Sequence, residues 1–234
     1  KWILPVVPAN MQDVMSWEIA KQLSHADQFY IMHRFGTGIN DSLVDNWSGE
    51  LSHYSISVGV NSDSKEDLAY MMEYKIIPNC ITIDVAHGHH KNVSNMVKWI
   101  NEFYNGIEIS KMPYIIAGNV ATADAYKFLC DLGVNAVKVG IGGGSICTTR
   151  YKTGFHVPTA YAIWDCVNNS DGYDTPIIAD GGIKHFGDIA KAIVLGADMV
   201  MSGRLFAECI DSPAKIIHGQ KVYRGSTSYE AKGK

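Results

Sequence analysis

Nine residues, Gly142 to Arg150, carry three consecutive glycines, a serine, a cysteine, two threonines and an arginine. They follow Ala136–Ile141, an apolar run that reads as a buried strand. Glycine tolerates positive φ and lets a ligand approach the backbone closely. A cysteine at such a strand end, with hydroxyls one and two residues on, is a candidate nucleophile with a proton relay beside it. The competing reading is a glycine turn next to a passive cysteine. The concentration of glycines, thiol, hydroxyls and a cation behind one strand favours chemistry.

Other strand ends hold polar residues that would share a face with this loop. Asp180-Gly181-Gly182 and Gly203-Arg204 fit a phosphate site built from backbone amides, with Asp180 accepting from two ribose hydroxyls. Alone, Asp-Gly-Gly would be read as a tight turn. Asn10 and Met11, His33 and Arg34, Asp84, and Gly118 and Asn119 follow other apolar runs. Met11 is divided between core packing and contact with a flat base; Asp84 is divided between a ribose and a loop cap. His87-Gly88-His89-His90 invites a metal, but adjacent histidines point apart and no second cluster has ligand spacing. Polar loop residues or a helix entry are the preferred readings there, with contact between one histidine and a substrate left open.

The elements that must position these groups alternate along the chain. Strands are expected at 3–9, 29–35, 54–60, 80–86, 114–120, 136–141, 176–180 and 199–203. Helices are expected at 14–23, 43–51, 64–74, 92–103, 122–132, 159–167 and 186–195, with Ser64 and Thr122 as caps. Eight β units with near-continuous apolar strands point to a parallel sheet covered on both faces. The fold class is therefore α/β, a closed (β/α)8 TIM barrel, with an open doubly wound sheet as the alternative. After Gly203, Arg204–Cys209 starts a helix that Asp211-Ser212-Pro213 interrupts, and His218-Gly-Gln-Lys221 reads as a hairpin turn. The whole chain, 1–234, is expected to be one catalytic domain, incomplete at both ends, with a mobile flap near 204–234.

Composition excludes several classes. The 234 residues are 47% hydrophobic and 19% charged, with a net charge of −4, which argues against a general nucleic-acid binder. Five cysteines without a C-x-x-C point to free thiols and a reducing, cytoplasmic setting. No apolar run has the roughly 18 residues of a membrane span.

The strings PVVPANMQ (5–12), IMHRF (31–35), IDVAHGH (83–89), AGNV (117–120), VGIGGGSICTTR (139–150), IIADGGI (177–183) and YRGS (223–226) resemble the IMP dehydrogenase/GMP reductase family over nearly the whole chain. Pro8-Ala9-Asn10-Met11-Gln12, Met32-His33-Arg34 and the run C-T-T-R-x-K-T-G at 147–154 resemble its reductase branch. The resemblance implies a (β/α)8 barrel, a homotetramer, and NADPH-dependent conversion of GMP to IMP and ammonia through a cysteine thioimidate. Cys147 is implied as nucleophile and Thr149 as proton relay. Met11, Ser145, Asp180, Gly181, Gly182, Gly203, Arg204, Tyr223, Gly225, Ser226 and Thr227 are implied around the nucleotide. Arg34, Asp84, Val85, Ala86, Asn119, Ile141 and Gly142 are implied on the cofactor side. Gly142, Gly144, Cys147 and Arg150 are implied around a monovalent cation, potassium. The chain departs from the pattern in Gly142-Gly143-Gly144, in Gly203-Arg204, and in lacking a match to the reductases' Glu-Gly-Lys run; Glu230 aligns with a different glutamate. The alternatives are an IMP dehydrogenase, which resolves the same intermediate with water, and a barrel that binds purine nucleotides without turnover.

Overall fold

The computed structural model describes residues 4–35 and 53–225. Seven strands form one all-parallel sheet: β1 (Val6–Pro8), β2 (Ser55–Val58), β3 (Cys80–Asp84), β4 (Tyr114–Val120), β5 (Ala136–Val139), β6 (Ile177–Asp180) and β7 (Met199–Ser202). Their spatial order is β1-β7-β6-β5-β4-β3-β2. The first strand thus pairs with the last, which curls the sheet into a barrel wall. The second expected strand, 29–35, is reduced to one parallel bridge, Met32 to Ile56. It still takes the second position, because Met32 N donates to Ser55 O and Ser57 N to Met32 O, each at 2.9 Å. Phe29 and Ile31 share an inner core with Val7 and Ala9.

Strand alternation separates two cores. Cys80, Ile116, Ala136, Ile178 and Met201 point inward with that group. Their neighbours Ile81, Ile115, Val137, Ile177 and Val200 point outward under the helices. This two-sided burial is the physical origin of the continuous apolar strands in the sequence. The inner face also holds Ser55, Ser57, Thr82 and Lys138, all buried.

The helices are α1 (Trp17–His25), α2 (Ser62–Glu73), α3 (Lys91–Phe103), α4 (Ala123–Asp131), α5 (Thr149–Thr153), α6 (Thr159–Asn168), α7 (Phe186–Val194) and α8 (Arg204–Ala207). Thr122 caps α4, its Oγ1 accepting from Ala125 N. The expectation for Ser64 is corrected: Asn61 is the N-cap of α2. Ser64 sits within the first turn, where its hydroxyl donates to Asn61 Oδ1 at 2.8 Å and accepts from Gly59 N at 2.9 Å. The expected helix at 43–51 lies outside the described residues. After α8, β8 (Lys215–Ile217) and β9 (Gln220–Val222) form an antiparallel hairpin around His218 and Gly219. Both turn residues have positive φ, at 50° and 78°, as a two-residue hairpin loop requires. Among the described residues, no helix is long and apolar enough to cross a membrane.

Candidate active site

The C-terminal strand ends surround a cavity of about 240 Å³. Its lining includes Met11, Arg34, Asp84, Val85, Ala86, Asn119, Ile141, Gly142, Gly144, Ser145, Cys147, Thr149, Asp180, Gly181, Gly182, Gly203, Arg204, Tyr223 and Gly225. Residues up to 214 positions apart in sequence therefore meet at one rim, as parallel strands with polar C-terminal residues dictate. Arg150 is not among the lining residues; its guanidinium stacks on Tyr151 and donates to that hydroxyl at 2.6 Å. Ser226 and Thr227 lie outside the described residues.

The cysteine loop leaves β5, and Cys147 N donates back to Gly144 O at 3.1 Å. The Cys147 thiol donates to Thr149 Oγ1 at 3.3 Å. The loop packs backbone to backbone on the Asp180-Gly181-Gly182 turn. Gly181 has φ 99°, and a Cβ there would lie 3.0 Å from Gly144 N. Only glycine meets both demands.

Hairpin β8–β9 brings a third layer. Tyr223 lies over Gly203, where a Cβ would collide with its hydroxyl, and that hydroxyl reaches Met11 Sδ at 3.5 Å. Burial, then the charges of Asp180, Asp13 and Cys147, push the Tyr223 phenol well above its ordinary value, so it stays a neutral donor. Arg224 is held by Asp13, whose Oδ2 accepts from Arg224 N at 2.9 Å and from Nε at 3.4 Å. Gly225 then rests against Ile146 O, one residue from the thiol.

The floor is ionic. Lys138 Nζ donates to Asp84 Oδ1 at 2.7 Å, lies 3.2 Å from Asp180 Oδ2, and reaches Asn10 Oδ1 at 3.4 Å. Asn119 Nδ2 donates to Asp180 Oδ2 and to Gly140 O, both at 2.8 Å. Burial alone would raise the Asp84 carboxyl; the charge and hydrogen bond of Lys138, with Arg34 and Asn10 adding, hold it below the usual range. Burial alone would likewise lower the Lys138 ammonium, but Asp84 and Asp180 raise it above the ordinary lysine value. Sequence reasoning passed over Lys138 as part of an apolar strand. The signal was present: one charged residue inside Ala136–Ile141, with aspartates closing other strands.

The histidine string is a helix entry. His90 caps α3, its Nδ1 accepting from Asn92 N at 3.1 Å, and His89 packs on Phe128 with ring centroids 4.7 Å apart. No group of three His, Cys, Asp or Glu suited to a metal occurs among the described residues.

The model of the IMP dehydrogenase / GMP reductase domain matches residues 2–234. Proteins named GMP reductase from Staphylococcus aureus strain JH9 and strain Newman are 43% and 42% identical to the chain. Each match covers 100% of this chain and 71% of the relative. With the barrel, the cysteine loop and the paired glycine turns in place, the chain belongs to the IMP dehydrogenase/GMP reductase family.

Proposed function

We propose that this barrel catalyses the NADPH-dependent reductive deamination of GMP to IMP and ammonia. The observation that carries the reading is the Cys147–Thr149 pair, at 3.3 Å, on a glycine loop packed against the Asp180 turn. The similarity to GMP reductases points to the same activity. Phosphate is assigned to the amides of Ser145, Gly181, Gly182 and Gly203 with Arg204, and the ribose to Asp180. The base is assigned to Met11, Tyr223 and Gly225, together with Ser226 and Thr227.

As the sulfur of Cys147 attacks C2 of the purine, its proton moves to the Thr149 hydroxyl, which in the same relay gives its own hydrogen to the departing amine. The C2–N2 bond then breaks and the amine leaves as ammonia, protonated through Thr149. This gives a thioimidate on Cys147. Collapse of the reduced adduct breaks the C–S bond, returns the thiolate and leaves IMP. Binding phosphate, ribose and base at separate strand ends fixes C2 at the sulfur, and such orientation supplies several kcal/mol of a barrier, about 7 or more in well-aligned cases.

The chemistry of the residues lining the cofactor side suits a phosphorylated dinucleotide. Arg34 offers a cation, Asp84 an acceptor for hydroxyls, and Val85, Ala86 and Ile141 an apolar wall for a flat ring. When bound, NADPH supplies the hydride that C2 receives. Asn119, already donating to Asp180, is assigned between the two ligands. The carbonyls of Gly142, Gly144, Cys147 and Arg150 are hard oxygen donors suited to potassium. Gly144 O accepts from Cys147 N and keeps a second lone pair for it. A homotetramer and a cytoplasmic setting complete the reading; all five cysteines are free, which suits a reducing compartment.

Paired turnover assays test it. With potassium present, GMP and NADPH should give NADPH loss, abolished in Cys147→Ala, while IMP and NAD should give no NADH. NADH formation instead would mark an IMP dehydrogenase. Binding of GMP without turnover in either assay would mark a non-catalytic barrel.

A further inference from the structure

Lys138 is 1% exposed and comes from the middle of β5, yet it meets three strand ends at once. An ammonium has three N–H donors. Here they face Asn10 after β1, Asp84 ending β3 and Asp180 ending β6. Strand register explains the reach. Asp84, Gly118 and Lys138 lie in one row across β3, β4 and β5. Gly118 has no side chain to block the path, and a Cβ on it would come within 2.5 Å of Lys138 Cβ.

We infer that Lys138 is a positioning residue that holds Asp84 and Asp180 together as two oriented, anionic acceptors, so that the cofactor side and the nucleotide side of the cavity share one buried cation. The naming of the two sides rests on the function proposed above. Both carboxylates touch the same nitrogen, so their oxygens lie within about 6 Å, the range in which like charges suppress each other's ionisation. Other groups do not replace the ammonium. Arg34 acts on Asp84, Asn10 and Asn119 are neutral, and Tyr223 faces Asp180 as a neutral phenol. Without Lys138, no cation among the described residues touches both carboxylates, and the orientation of the ribose acceptor is left to Asn119 Nδ2.

The test compares wild type, K138M, which keeps the length without the charge, and the double variant D84N/K138M, which removes one carboxylate as well. Circular dichroism reports folding, calorimetry reports GMP binding at pH 8 and pH 5.5, and carbon-13 NMR of labelled aspartates follows carboxyl titration without ligand. In K138M the GMP dissociation constant should rise on the order of tenfold or more, the loss expected of a charged hydrogen bond. It should rise further at pH 5.5, by more than the rise that phosphate protonation causes in wild type, and a carboxyl should titrate between those pH values that does not do so in wild type. The double variant should fold, and its GMP affinity should change with pH only as much as that of wild type, because protonation of the phosphate itself is common to both and no like-charged pair remains. K138M with wild-type affinity and titration would overturn the inference. So would a double variant as pH-sensitive, or as poorly folded, as K138M, since lost packing is not repaired by removing a charge. If wild type does not bind GMP, the proposed function fails, and the ligand-free titration still decides the role of Lys138.

Discussion

Gly118 acts through what it lacks. Its Cβ position falls 2.5 Å from Lys138 Cβ and 2.7 Å from Lys138 O, so any side chain there displaces the strand that carries the buried ammonium. Overpacking of this kind costs about 1–3 kcal/mol. Gly118→Ala should therefore lower stability in urea melts by about that amount and weaken GMP binding as well. Unchanged values in both would remove the close packing from the account. Asp180 makes a second case. It accepts from Lys138 and Asn119 and lines the cavity. Asp180→Ala should raise the KM for GMP roughly 10- to 100-fold, the loss expected of hydrogen bonds to a charged acceptor. An unchanged KM would take Asp180 out of the ribose site.

The hairpin β8–β9 depends on two ties. Lys221 Nζ donates to the carbonyls of Cys209, Ile210 and Ser212, each at 2.7 Å, and so caps the chain leaving α8. Arg224 is tied to Asp13, a partly buried pair. Between them sits Tyr223, over Gly203 and against Met11. Lys221→Met should speed amide hydrogen exchange across 215–225 and lower kcat/KM for GMP, while exchange in β3–β6 stays as in wild type. Uniform exchange changes would show that the tie is not local. What could be read from the sequence follows from distance along the chain. The strand ends, the Thr122 cap and the hairpin turn rest on neighbours within a few residues, and they were legible. Asn61 displaced Ser64 as a cap because the decisive bonds run to Gly59 and Asn61 in the folded loop. Lys138 was missed because its partners lie 54 and 128 positions away. Asp13 with Arg224 was missed for the same reason, at a separation of 211.

At the scale of the whole barrel, burial disfavours the charged form of two histidines, His53 and His33. His53 is 7% exposed and lies against Phe29 and Tyr30, with ring centroids 6.4 and 4.7 Å away. Burial lowers it to about 4, partly opposed by the charge of Asp27 and a backbone hydrogen bond near Gln28. Burial lowers His33 as well. Above pH 6.5 these imidazoles are neutral folded or unfolded, and they cost nothing. As pH falls from 6.5 towards 4, the unfolded chain takes up protons that the folded chain refuses, so stability falls. For His53 alone the loss is about 2–3 kcal/mol across that window. Asp84 acts elsewhere: its lowered carboxyl contributes stability above its unfolded value of about 3.9, lost only as pH drops further. Lys138, raised, contributes below about pH 10.4 and loses that only as pH climbs through its folded value. The histidine window is therefore separate from both. Urea melts of wild type at pH 7.5, 6, 5 and 4.5 should show a steady loss, and His53→Gln should show a shallower one, with His33 retaining the remainder. Equal slopes in the two proteins would mean that His53 is protonated inside the fold, and that acid weakens this barrel through other groups.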